Sequence, residues 1–325
     1  MLWVCAASAQ TPASAQVVEA VGSRALGMGG AFVAVASDSS AAWWNPAGLA
    51  AGPVFDMALA RSRVDREAGL PAWRQRTSSL ALGTPVIGVS YYRFRITDIR
   101  PSDPTAGVDA GRQEEGAGVP VRSLSASQFG VTLVQTVIPG VHAGATLKYV
   151  RGTVSSSREE GRASPAALLD RGEALDASEA EKRFDVDLGV LATAGVIRVG
   201  MRLRNALEPT IGAARLERQA RVGVAFDPES ATGVPLTVAF DADLGTDTVA
   251  SEPRRMVSLG AEQWLLNRRL GVRAGARMNT VGARERSATA GASVAVRGGL
   301  YLEGHVVRGG SDDERGWGVA ARVSF

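Results

Sequence analysis

Two histidines, one cysteine and a scatter of carboxylates and arginines are the groups that could do chemistry in this 325-residue chain. A hydrolase or acyl-transfer site needs a nucleophile with a positioned base beside it. Only His142 and His305 could supply an imidazole, and each sits in its own alternating segment, so a shared site is not expected. The lone Cys5 excludes an internal disulfide framework and a cysteine metal cluster; neither a metal site nor a cofactor is expected. Asp185 with Asp187, and Asp241 with Asp243, are spaced two apart, which on a strand places each pair on one face. Such pairs can act as acid and base, but they serve equally well as charged wall residues. The formal charge is +3, with Lys148 and Lys182 the only lysines beside many arginines. The arginines are spread singly rather than gathered into a patch, so nucleic acid is not an expected partner. The chain reads as a non-enzyme.

The elements that carry these groups alternate with a period of two. In the last segment Trp317, Val319, Ala321, Val323 and Phe325 share one side, and Gly316, Gly318, Ala320, Arg322 and Ser324 share the other. Segments 270–279 and 196–204 repeat the pattern, each setting arginines opposite an uncharged face. No run approaches the roughly 20 apolar residues of a membrane helix. Long strands with one apolar and one polar or small face instead fit a barrel with a lipid-facing band and a polar lumen. Counting such segments gives about fourteen strands, from 54–64 to 314–325, joined alternately by tight turns and longer polar connections. The expected fold is all-β: a transmembrane antiparallel β-barrel of about 14 strands, with outer-membrane lipid around it. On that reading Arg198, Arg202, Arg221, Asp241, Asp243, Glu262, Arg273 and Arg277 form a luminal charge network of both signs. The long outer loops are expected at 97–122 and 154–182, the second with a short helix from Ser164 to Ala180. Phe55, Trp73, Tyr91 and Phe94 are the candidate ligand vestibule near the first outer loop.

The N-terminus reads differently. Residues 1–15 end in Ala13-Ser14-Ala15 and look like the remainder of a signal peptide, which implies export from a Gram-negative cell. Residues 16–53 are not strand-like: Gly27, Gly29 and Gly30 permit close backbone approach, and Trp44, Asn45 and Pro46 carry a turn signal. The block is expected to be an N-terminal luminal hatch or plug, with residues 54–325 forming the barrel.

This block also carries a resemblance. Arg24-Ala-Leu-Gly-Met-Gly-Gly-Ala-Phe-Val-Ala-Val-Ala, then Asp38 and Trp44-Asn-Pro-Ala-Gly-Leu49, resembles the N-terminal signature of the long-chain fatty-acid outer-membrane transporter (FadL-like) superfamily, particularly its PorV/PorQ-like branch. Gly200-Met-Arg-Leu-Arg-Asn205, Arg221-Val-Gly-Val-Ala and Leu259-Gly-Ala-Glu262 extend the likeness along the barrel. The resemblance implies a fourteen-stranded barrel with a luminal N-terminal hatch. It also implies passive transport of a hydrophobic small molecule or, alternatively, a permanently plugged scaffold for a secretion-system (type IX-like) or periplasmic protein partner.

Overall fold

The computed structural model describes residues 13–14, 21–67, 72–99, 118–159, 163–175, 179–212, 214–249, 252–282, 285–310 and 314–325. Nearly all of the leader, residues 16–20 of the N-terminal block and most of the 97–122 loop lie outside the described residues.

Fourteen antiparallel strands close into one barrel. They are β1 (Asp56–Arg66), β2 (Ala72–Gly83), β3 (Ile87–Ile99), β4 (Val119–Ile138), β5 (Val141–Glu159), β6 (Glu181–Ala194), β7 (Ile197–Arg204), β8 (Gln219–Phe226), β9 (Leu236–Asp243), β10 (Met256–Leu265), β11 (Leu270–Asn279), β12 (Arg286–Arg297), β13 (Leu300–Gly309) and β14 (Arg315–Ser324). β14 returns to β1, with Ser324 opposite Asp56 and Arg315 opposite Asp65. Each strand pairs with its sequence neighbours, and closure leaves no edge whose backbone groups would need water.

Burial alternates along the strands as the sequence period requires. In β3, Tyr92 and Phe94 are buried while Val89 and Tyr91 are exposed. Leu59, Leu80, Phe129, Leu147, Val199, Phe240, Leu259, Leu302 and Val319 stand exposed around the outer perimeter. A water-soluble surface does not carry an apolar band of that extent; a bilayer is the solvent that suits it. One end of the barrel has tight connections, where Gly140, Gly195 and Gly299 take positive φ of 82°, 59° and 79°. The other end has the longer connections.

The strands are taller on one side than the sequence pattern indicates. β2 starts at Ala72, and β4 runs for 20 residues, about 66 Å at a strand's rise. The reason is a helix, α3 (Pro165–Glu173), N-capped by Ser164, whose hydroxyl accepts from the Ala167 amide. It is shorter than the 164–180 expected, and it lies on the outside of the wall rather than over the mouth. Its Leu168 and Leu169 pack with Ile99 and Val121, which by parity point outward. Arg95 and Arg76 reach Glu173 on the same helix, and Arg74 reaches Asp170. Above the lipid level the outer face of β2–β5 is therefore covered by protein, which allows these strands to continue without an apolar face toward lipid.

Residues 21–52 are short coiled elements packed against inward-facing side chains: α1 (Ser23–Gly27), α2 (Ala41–Trp44) and a 3-10 helix, Pro46–Ala51. Nearly all of them are buried. They touch β3 on one side of the ring and β10–β13 on the other.

Candidate functional site

The segment fits because the wall makes room for it. Seven strands present a glycine inward where backbone meets backbone. A Cβ added at Gly144 would stand 2.4 Å from the Ala47 nitrogen, at Gly189 2.1 Å from the Asn45 Oδ1 and at Gly200 2.4 Å from the Val33 carbonyl oxygen. At Gly223, Gly260, Gly275 and Gly291 it would meet Ala34, Met28, Gly29 and Gly27 at 3.1 Å or less. Gly144 faces Gly189, Gly200 faces Gly223 and Gly260 faces Gly275 across the ladder. This belt is the feature that sequence reasoning missed; its signal is a glycine at the same inward parity in successive strands.

Polar contacts then fix the segment. Arg24 Nη2 lies 2.6 Å from Glu262, which also holds Arg273 at 2.6 Å; Arg24 reaches Asp38 at 3.3 Å as well. Asp241 Oδ2 accepts from the Phe32 and Val33 amides at 2.8 and 2.9 Å. Asn45 is fully buried: its Nδ2 donates to the Val33 and Val190 carbonyls, and its Oδ1 accepts from the Ala47 amide. Pro46 opens the 3-10 helix that follows. Trp44 donates to the Val21 carbonyl and packs edge-on to Phe32, with Arg202 over its ring at 5.5 Å. The Gly27 carbonyl accepts from Thr289, and the Gly30 carbonyl lies 3.5 Å from Arg221; Gly29 and Gly30 take φ of 69° and 81°.

The charged side chains named from the sequence pair with one another and with other polar groups at several places along the wall. Arg221 pairs with Asp243 at 2.6 Å. Arg277 reaches Ser287 and Glu314. Arg198 pairs with Asp227 at the tight-turn end. Lys148 bridges Asp185 and Asp187 at 2.8 and 2.6 Å. At the long-loop end, burial and the nearby Asp243 push Asp247 up to about 7. His142 touches Thr136 at the tight-turn rim and His305 faces inward on β13; the two do not meet. Among the described residues no three or more His, Cys, Asp or Glu side chains gather as a metal site would need.

The four vestibule residues are not brought together. Phe55 stacks near Phe325 at the tight-turn end, whereas it was expected near the first outer loop. Tyr91 is exposed on the outer face, three positions from Phe94 and so of opposite parity. Trp73 is buried at the long-loop end, opposite Asp98 and Arg66. Phe94 alone lines the lumen centre, where it and Tyr92 each stand 5.1 Å from Trp43. Ile96 and Leu124 continue this buried strip above Phe94, opposite each other in the ladder. The lumen is thus two-sided: apolar along β3 and β4, charged over much of the remaining wall. At the mouth, Ile211 and Leu216 of the 205–218 connection fold onto Val150.

Asn45→Ala is expected to strip partners from three buried backbone groups at a cost of about 1–3 kcal/mol. Hydrogen exchange across 21–52 should rise about 5- to 150-fold while the strands keep their protection. Unchanged exchange in that segment would contradict the anchoring role.

No protein-family model and no curated protein sequence matches the chain. Solved structures do match in fold. The CymD monoaromatic hydrocarbon channel superposes with a TM-score of 0.66 at 13% identity, over 94% of this chain and 97% of that one. The Pseudomonas putida toluene transporter TodX gives 0.61 at 12%, over 96% and 99%. A Pseudomonas aeruginosa FadL homologue gives 0.61 at 10%, over 95% and 99%. With the lipid-facing band and the closed ladder, this defines the class: a fourteen-stranded outer-membrane β-barrel whose fold resembles that of the FadL-like hydrocarbon transporters.

Proposed function

We propose that the chain passes hydrophobic small molecules across the outer membrane, with residues 21–52 as a displaceable hatch. The observation that supports this most is the apolar inner strip Tyr92, Phe94, Ile96 and Leu124, which runs from the long-loop side down to Trp43 of the segment. A ligand descending this strip replaces water-free protein contacts with its own, and Trp43 is the group it must displace. The inward charges are largely engaged with one another or with the segment, a pattern that suits exclusion of polar solutes. The hydrocarbons carried by the channels of like fold are the substrate class to try first. The PorV/PorQ-like assignment rests on the sequence resemblance alone, and no observation favours the secretion-scaffold alternative.

The test is initial uptake in a strain lacking the gene, with and without the protein restored. A labelled monoaromatic hydrocarbon and a long-chain fatty acid are compared with a sugar of similar mass. Faster uptake of an apolar solute with no gain for the sugar is expected. No gain for any apolar solute, with a stoichiometric protein partner retained on gentle purification, would turn the reading to the scaffold.

A further inference from the structure

We propose that the outer face of β9–β13 holds a phosphate-bearing lipid of the outer leaflet, with its acyl chain in a groove and its headgroup on Arg286 and Arg308. The groove measures about 660 Å³ and opens away from the lumen. Its floor is a cross-strand row: Leu259 faces Ala276, Ala276 faces Ala288, and Ala288 faces Arg308. The two alanines leave a trough between the side chains of Phe240 and Met278, which wall it. Because these are residues of one face, the trough lies within the band that meets lipid.

The upper end of the trough differs from the rest of that band. Arg286 sits opposite Met278 and Arg308 opposite Ala288, both exposed at the end with the longer connections, which barrels of this kind place outside the cell. No described carboxylate pairs with either; Asp312 and Asp313 of the adjoining loop lie outside the described residues. Most other arginines at this end have an acidic partner, as Arg63 has Asp65 and Arg76 has Glu173. Two guanidinium groups at the rim of an apolar trough complement an anionic headgroup above an acyl chain, and the planar fork suits phosphate bidentately. Basic pockets of this kind are how membrane proteins select anionic lipids.

Native mass spectrometry of the whole protein released from micelles doped with lipid A tests this. One lipid A should survive detergent removal. Arg286→Gln with Arg308→Gln should lower the retained fraction about tenfold, and Ala288→Trp, which fills the trough and leaves both arginines, should lower it similarly. Arg297→Gln at the opposite rim should leave it unchanged. Heat-modifiable migration on a gel establishes that each variant is a folded barrel. Equal retention by the double variant, as would follow if Asp312 or Asp313 already neutralised the arginines, would overturn the proposal. So would equal retention of dephosphorylated lipid A, or displacement by inorganic phosphate, which would mark a free-anion site.

Discussion

Glu262→Ala is expected to release the N-terminal segment from the wall while the barrel stays closed. Glu262 is the shared carboxylate of Arg24 on α1 and Arg273 on β11, and the three side chains are largely or wholly buried. Removing it takes the paired carboxylate from the buried Arg273 guanidinium and leaves Arg24 with the longer 3.3 Å contact to Asp38. Breaking a buried pair in this way costs about 3–5 kcal/mol. Because the strand ladder is untouched, that cost should fall on the segment. Hydrogen exchange over residues 21–52 should accelerate by roughly a hundredfold to several thousandfold. Glu262→Gln, which keeps an acceptor but loses the charge, should fall between. Loss of the closed barrel with segment protection intact would contradict the assignment.

Gly275→Ala tests the glycine belt. A single methyl at this position would lie 2.3 Å from the Gly29 nitrogen and from the Met28 carbonyl carbon. These are backbone atoms on both sides, so no rotamer relieves the clash. Overpacking of this kind exceeds the usual range of about 1–3 kcal/mol, and the segment should be forced away from β11. Limited proteolysis of folded barrels should then cut within 21–52. Gly298→Ala provides the comparison, because nothing lies within 4 Å of a Cβ there, and it should leave the segment resistant. Equal resistance in both variants would mean that close approach is not what the belt provides.

The barrel was legible because its cause is local. Period-two alternation and turn residues such as Gly140 and Gly195 are written along the chain, and the strand count of fourteen and most boundaries follow from them. The extension of β2–β5 was not legible, since it depends on α3 docking to the outer wall from a distant loop. Trp44, Asn45 and Pro46 could be picked out as a turn, but their wall contacts at Val190 and Gly189 are nonlocal. The vestibule failed for a different reason. The spacing of Tyr91 and Phe94 puts them on opposite faces, whereas Tyr92, Phe94 and Ile96 share one parity and mark an inner apolar strip. The charged residues mark an inward face, but not which partner each takes: that Glu262 joins the wall to Arg24 is a nonlocal fact.

If residues 21–52 have to move for a hydrophobic solute to pass, tying them to the wall should stop uptake. A Cβ on Gly83 would stand 3.4 Å from the Ser39 Cα and 2.6 Å from the flexible end of Leu49, so Ser39→Cys with Gly83→Cys, and Leu49→Ala to make room, can tie α2's leading turn to β2 by a disulfide, with Cys5→Ser removing the one native thiol and the reduced form serving as its own control. The measurement is initial hydrocarbon uptake by cells carrying this variant, oxidised and then reduced. Uptake is expected at the level of cells lacking the protein while the bond is intact, with recovery on reduction. Full uptake with the bond demonstrably formed would contradict it.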